Sequence, residues 1–564
     1  MCGILALLHS SMPAADLQVL ARQLSLLQKH RGPDFSGCEV RTGSDGLHSC
    51  LCHERLAIVG VHSGEQPIIS SDGRYILSVN GEIYNHESLR KELRAEYDFQ
   101  TDSDCEVIIP LIHKYGVHGA DRLDGCFTFV CLDTSDMSFI VGRDPIGINP
   151  LYWGPMLASS GGGRAIASEL KALTAVVETV TIFPPGHVYD SKTDTLQPHY
   201  TPRWLMDRTF VPPSAPVDSR LVRTTLETAV QKRMMADVAV GALLSGGLDS
   251  SLIAALAARM LREMPSALQT SLTTFSIGLV GSPDLAAAER VAKHIGSEHH
   301  SVTFTIDEGI AALRDVIRHV ETYDVTTIRA STPMLLLSRY VQKHGIRVLL
   351  SGEGADELGA GYLYFSKAPT PAELHHETVR KVAALHQFDC QRANKSTMAH
   401  GIEVRVPFLD RDFLDVAMTL DPAAKMSSAK RMEKAFIRDA FAGDDLLPHD
   451  VLYRRKEQFS DGVGYAWIDT LKSHAAAHVS DEAMAGAAQR FPINTPSTKE
   501  GYYYRTLFVD MFGDGEAAAR TVVGGPSIAC STAEVMRWDA SFGANADPSG
   551  RAIDVHEQHS ATMG

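Results

Sequence analysis

The sequence has no long hydrophobic run and no excess of positive charge, and each absence argues against a class of protein. None of its apolar segments approaches the ~20 residues that a membrane-spanning helix needs. The 564 residues carry a formal net charge of −15, whereas a nucleic-acid-binding protein needs a basic face. The apolar start of the chain is short and lacks a basic leader, so we do not expect a secretory signal peptide.

Cysteine is also scarce. The chain has nine cysteines, an odd number, which favours reduced thiols and a cytosolic location over a disulfide-bonded secreted protein. Cys50 and Cys52 lie beside His53 and raise the question of a metal site. Since no second cysteine pair lies at zinc spacing, a thiol patch in a β-rich core is the better interpretation.

The length predicts at least two domains. Short β-rich runs alternate with glycine and proline turns over residues 2–195, and prolines mark a linker over 196–217. Helical patterns then alternate with short apolar strands over 218–515, which is typical of an α/β fold with a parallel sheet. The tail, 516–564, becomes rich in small residues; we expect it to be poorly ordered and assign it no chemistry.

The stretch Ser245–Ser251 has the sequence SGGLDSS and separates an apolar run from a helix-forming run. A strand, a glycine-rich turn and a helix together form an anion site, because free N–H groups and the helix dipole face the ligand. The spacing is not that of a Walker A loop, and its lysine is missing. With Asp249 present instead, we expect a pyrophosphate bridged by a metal. An ordinary tight turn is the alternative.

A second glycine-broken loop, Ser351–Glu357, follows the apolar strand 347–350. It carries three carboxylates, and Asp356 together with Asp249 could hold Mg²⁺, which prefers carboxylate and phosphate oxygens. The alternative is a solvated acidic turn, but a loop that directly follows a buried strand lies where α/β proteins bind ligands. A third strand is predicted at 273–279.

Two further segments carry candidate binding groups. Residues 321–333 are rich in hydroxyl groups and contain one arginine, Arg329. The triplet Arg454–Lys456 concentrates positive charge in an acidic protein. Surface solvation is the usual role of such a triplet. With a triphosphate nearby, Lys456 would be a point charge on phosphate.

Cys2 becomes the first residue if Met1 is removed. Its α-amine, with an ordinary pKa of about 8, could then act as the general base for its own thiol. A cysteine at the start of a buried strand is the alternative.

Four motifs in the first segment resemble those of the class II glutamine amidotransferases. They are Met1–Ile4, Arg31–Asp34, Val79–Asn85 and Gly142–Gly147. The resemblance implies an N-terminal-nucleophile fold, an αββα sandwich, that hydrolyses glutamine to glutamate and ammonia. It makes Cys2 the nucleophile, with Asn80 and the Gly81 amide as the oxyanion hole. The implied glutamine-binding residues are Arg55, Leu56, Ala57, Ile58, Val59, Asn80, Gly81, Glu82 and Asp104, with Arg55 on the α-carboxylate and Asp104 on the α-ammonium.

The strings SGGLDSS, SGEGADE and RVPFLD, in this order, resemble the glutamine-hydrolysing asparagine synthetases of the bacterial B type. This resemblance runs from Met1 to about residue 510. It implies an α/β multidomain enzyme in which a PP-loop ATP pyrophosphatase-type domain follows the sandwich. The expected reaction makes asparagine, glutamate, AMP and diphosphate from aspartate, glutamine, ATP and water, through β-aspartyl-AMP and internally transferred ammonia. A homodimer is a further expectation from the family.

The same resemblance implies roles for residues of the second segment. Asp249 and Asp356 would bind Mg²⁺, Lys456 the pyrophosphate, and Glu353 would support formation of β-aspartyl-AMP and the attack of ammonia. Thr327 and Arg329 are the candidates for aspartate binding. The implied ATP-binding residues are Leu243, Ser245, Gly246, Gly247, Asp249, Ser250, Ile277, Ser351 and Gly352.

Three alternatives stay open at this point. A relative that forms another amide, such as a β-lactam synthetase, would share the fold, but such relatives commonly lose the N-terminal cysteine. A sensing protein without turnover would not need Cys2, Glu353 and Lys456 together. A free-standing pyrophosphatase-type ATPase would leave the glutaminase motifs unexplained.

Overall fold

The computed structural model describes residues 1–263, 268–428, 430–454, 463–464, 466–515, 517, 532–540 and 542. The first segment forms two antiparallel sheets and the second forms a parallel sheet between helices. This arrangement confirms the expected fold class, an N-terminal-nucleophile sandwich followed by an α/β synthetase domain.

The strands and helices have the following bounds. The strands are β1 (Gly3–Ser10), β2 (Phe35–Thr42), β3 (His48–Arg55), β4 (Ile68–Ile69), β5 (Tyr75–Ile83), β6 (Gly125–Asp133), β7 (Phe139–Arg143), β8 (Tyr152–Pro155), β9 (Arg164–Ala167), β10 (Thr181–Ile182), β11 (His187–Asp190), β12 (Thr195–Pro198), β13 (Val240–Leu243), β14 (Thr273–Gly278), β15 (Glu298–Thr303), β16 (Val348–Leu350) and β17 (Glu403–Arg405). The helices are α1 (Ala14–Leu26), α2 (His86–Leu93), α3 (Ile108–Tyr115), α4 (Arg203–Met206), α5 (Ser219–Lys232), α6 (Leu248–Glu263), α7 (Pro283–Ile295), α8 (Ile306–Val320), α9 (Val325–Gln342), α10 (Ala355–Leu358), α11 (Pro371–Ala384), α12 (Asp389–Met398), α13 (Arg411–Thr419), α14 (Ala435–Ala440), α15 (His449–Leu452), α16 (Ala466–His478), α17 (Asp481–Ala485), α18 (Ala487–Arg490) and α19 (Lys499–Phe512).

The sandwich places one sheet, in the order β10-β8-β9-β1-β3-β2, against the other, in the order β12-β11-β7-β6-β5-β4. Side chains of a strand alternate between its two faces, and β1 is buried on both. Ile4 and Leu8 pack towards the second sheet, whereas Leu5 and Leu7 pack with α1. Helix α3 covers the outer face of the second sheet. The result is four layers, with Cys2 at the start of a central strand.

The parallel sheet has the order β15-β14-β13-β16-β17, with every pair parallel. Helices α5, α6 and α7 pack on one face, and α8 and α9 pack on the other. The chain runs from β13 outwards on one side and returns to place β16 on the other. In such sheets the crevice at the carboxyl ends of the two diverging strands binds the ligand. One glycine-broken loop, Ser245–Ser251, follows β13, and the other, Ser351–Glu357, follows β16.

The connection between the two segments packs against the second one. The Tyr200 hydroxyl and the Trp204 Nε1 both donate to Asp415 Oδ1, at 2.7 and 2.8 Å. Asp218 then caps α5 by accepting from the backbone of the first turn. The predicted linker therefore includes most of β12 and all of α4. Most of the tail, which we expected to be poorly ordered, lies outside the described residues.

Candidate active sites

Cys2 is buried with its backbone and thiol held by two neighbouring segments. Its backbone N–H donates to Asn80 Oδ1 at 2.7 Å, and the Leu56 N–H points to its Sγ at 3.4 Å. Burial raises the pKa of the thiol. A thiol in this position needs a nearby base before it can act as a nucleophile.

The N-terminal amine lies next to that thiol and is itself buried. In the chain that begins with Met1, this amine forms an ion pair with Glu403 of β17. Burial lowers the pKa of the amine, but Glu403 and the neighbouring acidic groups outweigh it and raise the pKa to about 10. Removal of Met1 would leave the α-amine of Cys2 on the residue that carries the thiol, and within reach of Asn80.

Arg55 extends from the end of β3 and binds the loop that follows. Its guanidinium donates to the carbonyl oxygens of Gly60 at 2.7 Å and Val61 at 3.2 Å. Among the described residues, its hydrogen-bond acceptors are all neutral backbone carbonyl oxygens. Its charge is therefore not neutralised by a carboxylate there, which suits a group that receives one from a ligand.

Glu82 and Asp104 form the acidic side of this centre and are both buried. Burial, with Glu403 and Asp104 as neighbours, raises the pKa of Glu82 well above its ordinary value. Burial also raises the pKa of Asp104, although its Oδ2 accepts from the Ile83 N–H at 2.6 Å. Carboxylates whose charged form is disfavoured in this way would be stabilised by a cation. The pair fits the α-ammonium of an amino acid.

The second centre is a cavity of about 220 Å³ at the carboxyl ends of β13 and β16. The two glycine-broken loops meet at its wall. A Cβ on Gly352 would lie only 2.7 Å from the backbone nitrogen of Ser250, so the close approach requires glycine. Gly246 has φ +74°, and a Cβ there would lie 2.5 Å from the backbone nitrogen of Ala288. Of the nine predicted ATP residues, Gly246 is not in the cavity lining. The other eight line it: Leu243, Ser245, Gly247, Asp249, Ser250, Ile277, Ser351 and Gly352.

Asp249 and Asp356 are brought together as predicted, and Lys434 lies between them. The Lys434 Nζ is 2.5 Å from Asp249 Oδ2 and 2.5 Å from Asp356 Oδ1. The other oxygen of Asp249, Oδ1, is buried without a hydrogen-bond partner among the described residues. Two converging carboxylates with an unused oxygen are the donors that Mg²⁺ accepts, so these residues fit the expected ion.

Glu353 also lines the cavity and forms an ion pair with Arg392 at 2.7 Å. Behind it, Glu357 is buried and accepts from the Tyr362 hydroxyl. Burial, together with Asp389 and Asp356, raises the pKa of Glu357 well above its ordinary value. Glu353 is thus the more exposed of the two glutamates and faces the ligand space.

Comparison with known proteins decides the family. A model described as a glutamine amidotransferase domain matches residues 1–197, and one described as asparagine synthase matches 221–370 and 366–536. The glutamine-hydrolyzing asparagine synthetases 3 of Arabidopsis thaliana and 2 of Oryza sativa subsp. japonica are each 52% identical to this chain. Each match covers 99% of this chain, and 95% and 93% of those relatives, respectively. The chain belongs to the glutamine-hydrolysing asparagine synthetases.

Among solved structures, a glutamine phosphoribosylpyrophosphate amidotransferase from B. subtilis covers 54% of this chain and 81% of its own. Its TM-score is 0.30 at 16% identity, a likeness too low to bear on the fold.

The structure of this asparagine synthetase separates the two residues expected at the aspartate site. Thr327 lines the cavity, as do its neighbours Asp324 and Thr326. Arg329 is not among the lining residues. It is buried on the far side of α9, where its guanidinium binds Glu500 at 2.6 and 2.9 Å. Positions two apart on a helix point to nearly opposite sides, which accounts for the different surroundings of Thr327 and Arg329. The assignment of Arg329 to aspartate binding stays a prediction.

Sequence reasoning missed several cationic groups of the cavity. Those that it did not assign are Arg380, Lys381, Arg392, Lys434, Arg438 and Arg454. Arg454 donates to the carbonyl oxygen of Gly246 at 3.1 Å and to Asp284 at 2.8 Å. The basic triplet in the sequence could have indicated that Arg454 binds the ligand. No sequence pattern indicated Lys434, since it lies 185 residues from Asp249 in a stretch without a glycine-rich loop. Lys456, expected on the pyrophosphate, lies outside the described residues.

Buried charges connect the second segment to the Cys2 centre. Arg405 donates to Glu403 at 2.6 Å and lies 3.6 Å from Glu82. Glu403 binds the N-terminal amine, so the chain of charges runs from β17 of the second segment to the Cys2 centre. Nearby, Arg31 donates to Asn394 Oδ1 at 3.0 Å across the same boundary. The two segments therefore share a polar interface beside the nucleophile.

Proposed function

We propose that this chain converts aspartate to asparagine with ATP, using the amide nitrogen of glutamine, and that its two centres carry the two halves of the reaction. The main support for this proposal is that one chain contains both the buried Cys2 centre and the cavity between the two glycine-broken loops. Membership of the asparagine synthetase family supports the substrates. A β-lactam synthetase or a simple ATPase would not account for both centres.

At the first centre, the Cys2 thiol attacks the amide carbon of glutamine after removal of Met1. The α-amine of Cys2 takes the thiol proton and returns it to the departing nitrogen, which leaves as ammonia. Asn80 and the Gly81 amide would hold the developing oxyanion, and one such donor is typically worth ~3 kcal/mol of barrier. Arg55 would receive the α-carboxylate of glutamine, and Glu82 and Asp104 its ammonium. Water then releases glutamate from the thioester.

At the second centre, an aspartate carboxylate oxygen attacks the α-phosphorus of ATP and the bond to pyrophosphate breaks. The product, β-aspartyl-AMP, has a good leaving group where the carboxylate had none. The turn after β13, with the start of α6, would hold the pyrophosphate through backbone N–H groups and the helix dipole. Arg454, Lys434 and Lys456 would offset its charge. Mg²⁺ held by Asp249 and Asp356 would supply further charge neutralisation.

Ammonia then attacks the activated carboxyl carbon and AMP leaves. Ammonia is mostly protonated in water at neutral pH, so direct transfer between the centres keeps it nucleophilic. Glu353 would accept the proton that the attacking nitrogen loses, because it faces the ligand space and Arg392 holds its carboxylate. Thr327 and its neighbours on α9 would bind aspartate.

The setting of this activity is also a proposal. All the cysteines in the described ranges are free thiols, which supports a reducing compartment such as the cytosol. No helix within the described ranges is both long and apolar enough to span a bilayer. The family resemblance supports a homodimer, which light scattering of the purified chain would check.

One assay tests the proposed function. The purified full chain is incubated with aspartate, Mg·ATP and glutamine labelled with ¹⁵N at the amide. We expect labelled asparagine with one AMP and one pyrophosphate per amide formed. ADP in place of AMP, or no asparagine from either glutamine or ammonium, would refute it. ATP cleavage without aspartate would instead indicate a pyrophosphatase.

A further inference from the structure

Three cysteines outside both centres converge on one face of the first sheet. Cys50 and Cys52 are two residues apart on β3, so both point to the same face. Cys38 lies on the edge strand β2, directly opposite Cys52 in the antiparallel register. Cross-strand partners share a face, and Cys38 therefore joins the other two. We call Cys38, Cys50 and Cys52 the thiol cluster.

The sulfur atoms of the thiol cluster have the spacing of a metal site. The Sγ atoms of Cys38 and Cys50 are 3.5 Å apart, those of Cys50 and Cys52 are 3.9 Å apart, and all three lie within 4.8 Å of one another. At a Zn–S distance of about 2.3 Å, tetrahedral thiolate ligands lie roughly 3.8 Å apart. A thiophilic ion can thus contact all three sulfurs with small side-chain adjustments.

The surroundings of the cluster are compatible with such an ion. Cys50 and Cys52 are buried under α1, whereas Cys38 is only partly buried and gives access from the edge of the sheet. Arg22 on α1 lies close enough to Cys38 to interact with its thiolate. Three thiolates and a divalent cation leave one negative charge, which a guanidinium offsets.

His53 does not belong to this site, although it follows Cys52 in sequence. It points to the opposite face of β3, where its Nδ1 lies 2.8 Å from the Ser78 hydroxyl. In the sequence, the candidate metal ligands beside Cys50 and Cys52 included His53. In the structure the third ligand is Cys38, and His53 is not part of the site.

We propose that the thiol cluster binds a thiophilic divalent ion such as Zn²⁺ through three cysteine sulfurs, with water in the fourth position. This site is separate from the expected Mg²⁺ position, whose ligands are carboxylates. Neither centre of the synthetase reaction uses it.

Cobalt binding tests the site. The full chain carrying Cys2→Ala, which removes the active-site thiol, is stripped of metal under a phosphine reductant and titrated with Co²⁺. We expect a near-ultraviolet sulfur-to-cobalt charge-transfer band that saturates at one equivalent and is displaced by one equivalent of Zn²⁺. The carboxylates of Asp249 and Asp356 cannot give this band, since they contain no sulfur.

Variants assign the band to its ligands. Even changes next to the ligands cost about 10–100-fold in metal affinity, so Cys38→Ser is expected to weaken Co²⁺ binding at least ~10-fold. Cys38 is partly exposed, which makes this variant tolerable for folding, and Cys52→Ala provides a second test. Cys131→Ser, which changes a buried cysteine of β6, should keep the band. The absence of a band at one equivalent, or an unchanged Co²⁺ affinity in Cys38→Ser, would overturn the proposal, as would loss of the band in Cys131→Ser.

Discussion

Glu353 is the residue on which the synthetase half depends most. It faces the cavity, and Arg392 fixes its carboxylate at 2.7 Å. The role proposed for Glu353 rests on this position in the cavity that Asp249 and Asp356 also line. The neighbouring Glu357 also lines the cavity, but it is buried and accepts from the Tyr362 hydroxyl, which leaves Glu353 as the more exposed glutamate.

Glu353→Gln is therefore expected to lower asparagine formation by about 100-fold or more, the usual contribution of a general acid or base. Glutaminase activity should survive, because Cys2 belongs to the other centre. Steady-state rates of both half reactions measure this, with Glu298→Gln at an exposed position as the control. Unimpaired asparagine output would remove Glu353 from the mechanism.

Lys425 is a second residue with a measurable consequence, here for stability. It is buried, and its Nζ lies 3.9 Å from the Met418 sulfur and 6.0 Å from the centre of the Phe436 ring. Burial lowers its pKa to about 7. The unfolded chain keeps a lysine pKa near ~10.4, so between pH 7 and 10 it binds a proton that the folded chain lacks.

The free energy of unfolding should thus rise with pH in that window, by up to ~1.4 kcal/mol per pH unit from this residue. Lys425→Met keeps the apolar stem and should raise stability at pH 7 and flatten the rise. Denaturant unfolding at pH 7, 8 and 9 measures both effects, with exposed Lys430→Met as the control. Equal slopes in Lys425→Met and the unmodified protein would contradict the buried neutral amine.

At the scale of elements, the sequence predicted the strands that precede the two glycine-broken loops, but it did not predict which side of α9 faces the cavity. The runs 238–244, 273–279 and 347–350 became β13, β14 and β16, because apolar segments bounded by glycine turns fit a buried parallel sheet. Residues 321–333 were predicted to carry binding groups because they are rich in hydroxyl side chains, and the side of a helix that each residue would occupy was not predicted. Since most of this stretch forms α9, only one side faces the cavity, and Arg329 lies on another side, paired with Glu500.

The position of Lys434 and the pairing of Cys38 with Cys52 could not be predicted for a related reason. Both depend on contacts between distant or register-matched elements, and neither leaves a periodic pattern in the chain. In contrast, Cys2, Asp249 and Asp356 lie in or beside glycine-containing motifs, and those motifs made these residues identifiable from the sequence.

The close packing of the turn after β13 leads to a testable prediction about ATP binding. Gly246→Ala places a Cβ at φ +74° and 2.5 Å from Ala288, so the loop must shift. We expect a large rise in the KM for ATP, with glutaminase activity retained. Gly296→Ala is a matched control, because Gly296 has φ +66° but open space around its Cβ position. If both variants change ATP use equally, the close packing of the turn is not what positions ATP.

At the scale of the whole molecule, the proposed reaction needs two centres that work separately in two segments joined by one interface. Glu403 and Arg405 link β17 to Glu82 and to the N-terminal amine. Lys395, buried across the same boundary, binds Glu321 at 2.5 Å and the Tyr152 hydroxyl at 2.8 Å. Paired buried charges are costly to separate, so we expect the two segments to keep one relative arrangement.

The most direct test of these two centres is the nitrogen dependence of Cys2→Ala. Asparagine formation is measured with Mg·ATP and aspartate, first with glutamine and then with ammonium as the nitrogen source. We expect synthesis from glutamine to be lost, while synthesis from ammonium stays at the level of the unmodified protein. Loss of both, or continued synthesis from glutamine, would contradict the assignment of nitrogen release to Cys2 and of amide formation to the separate cavity.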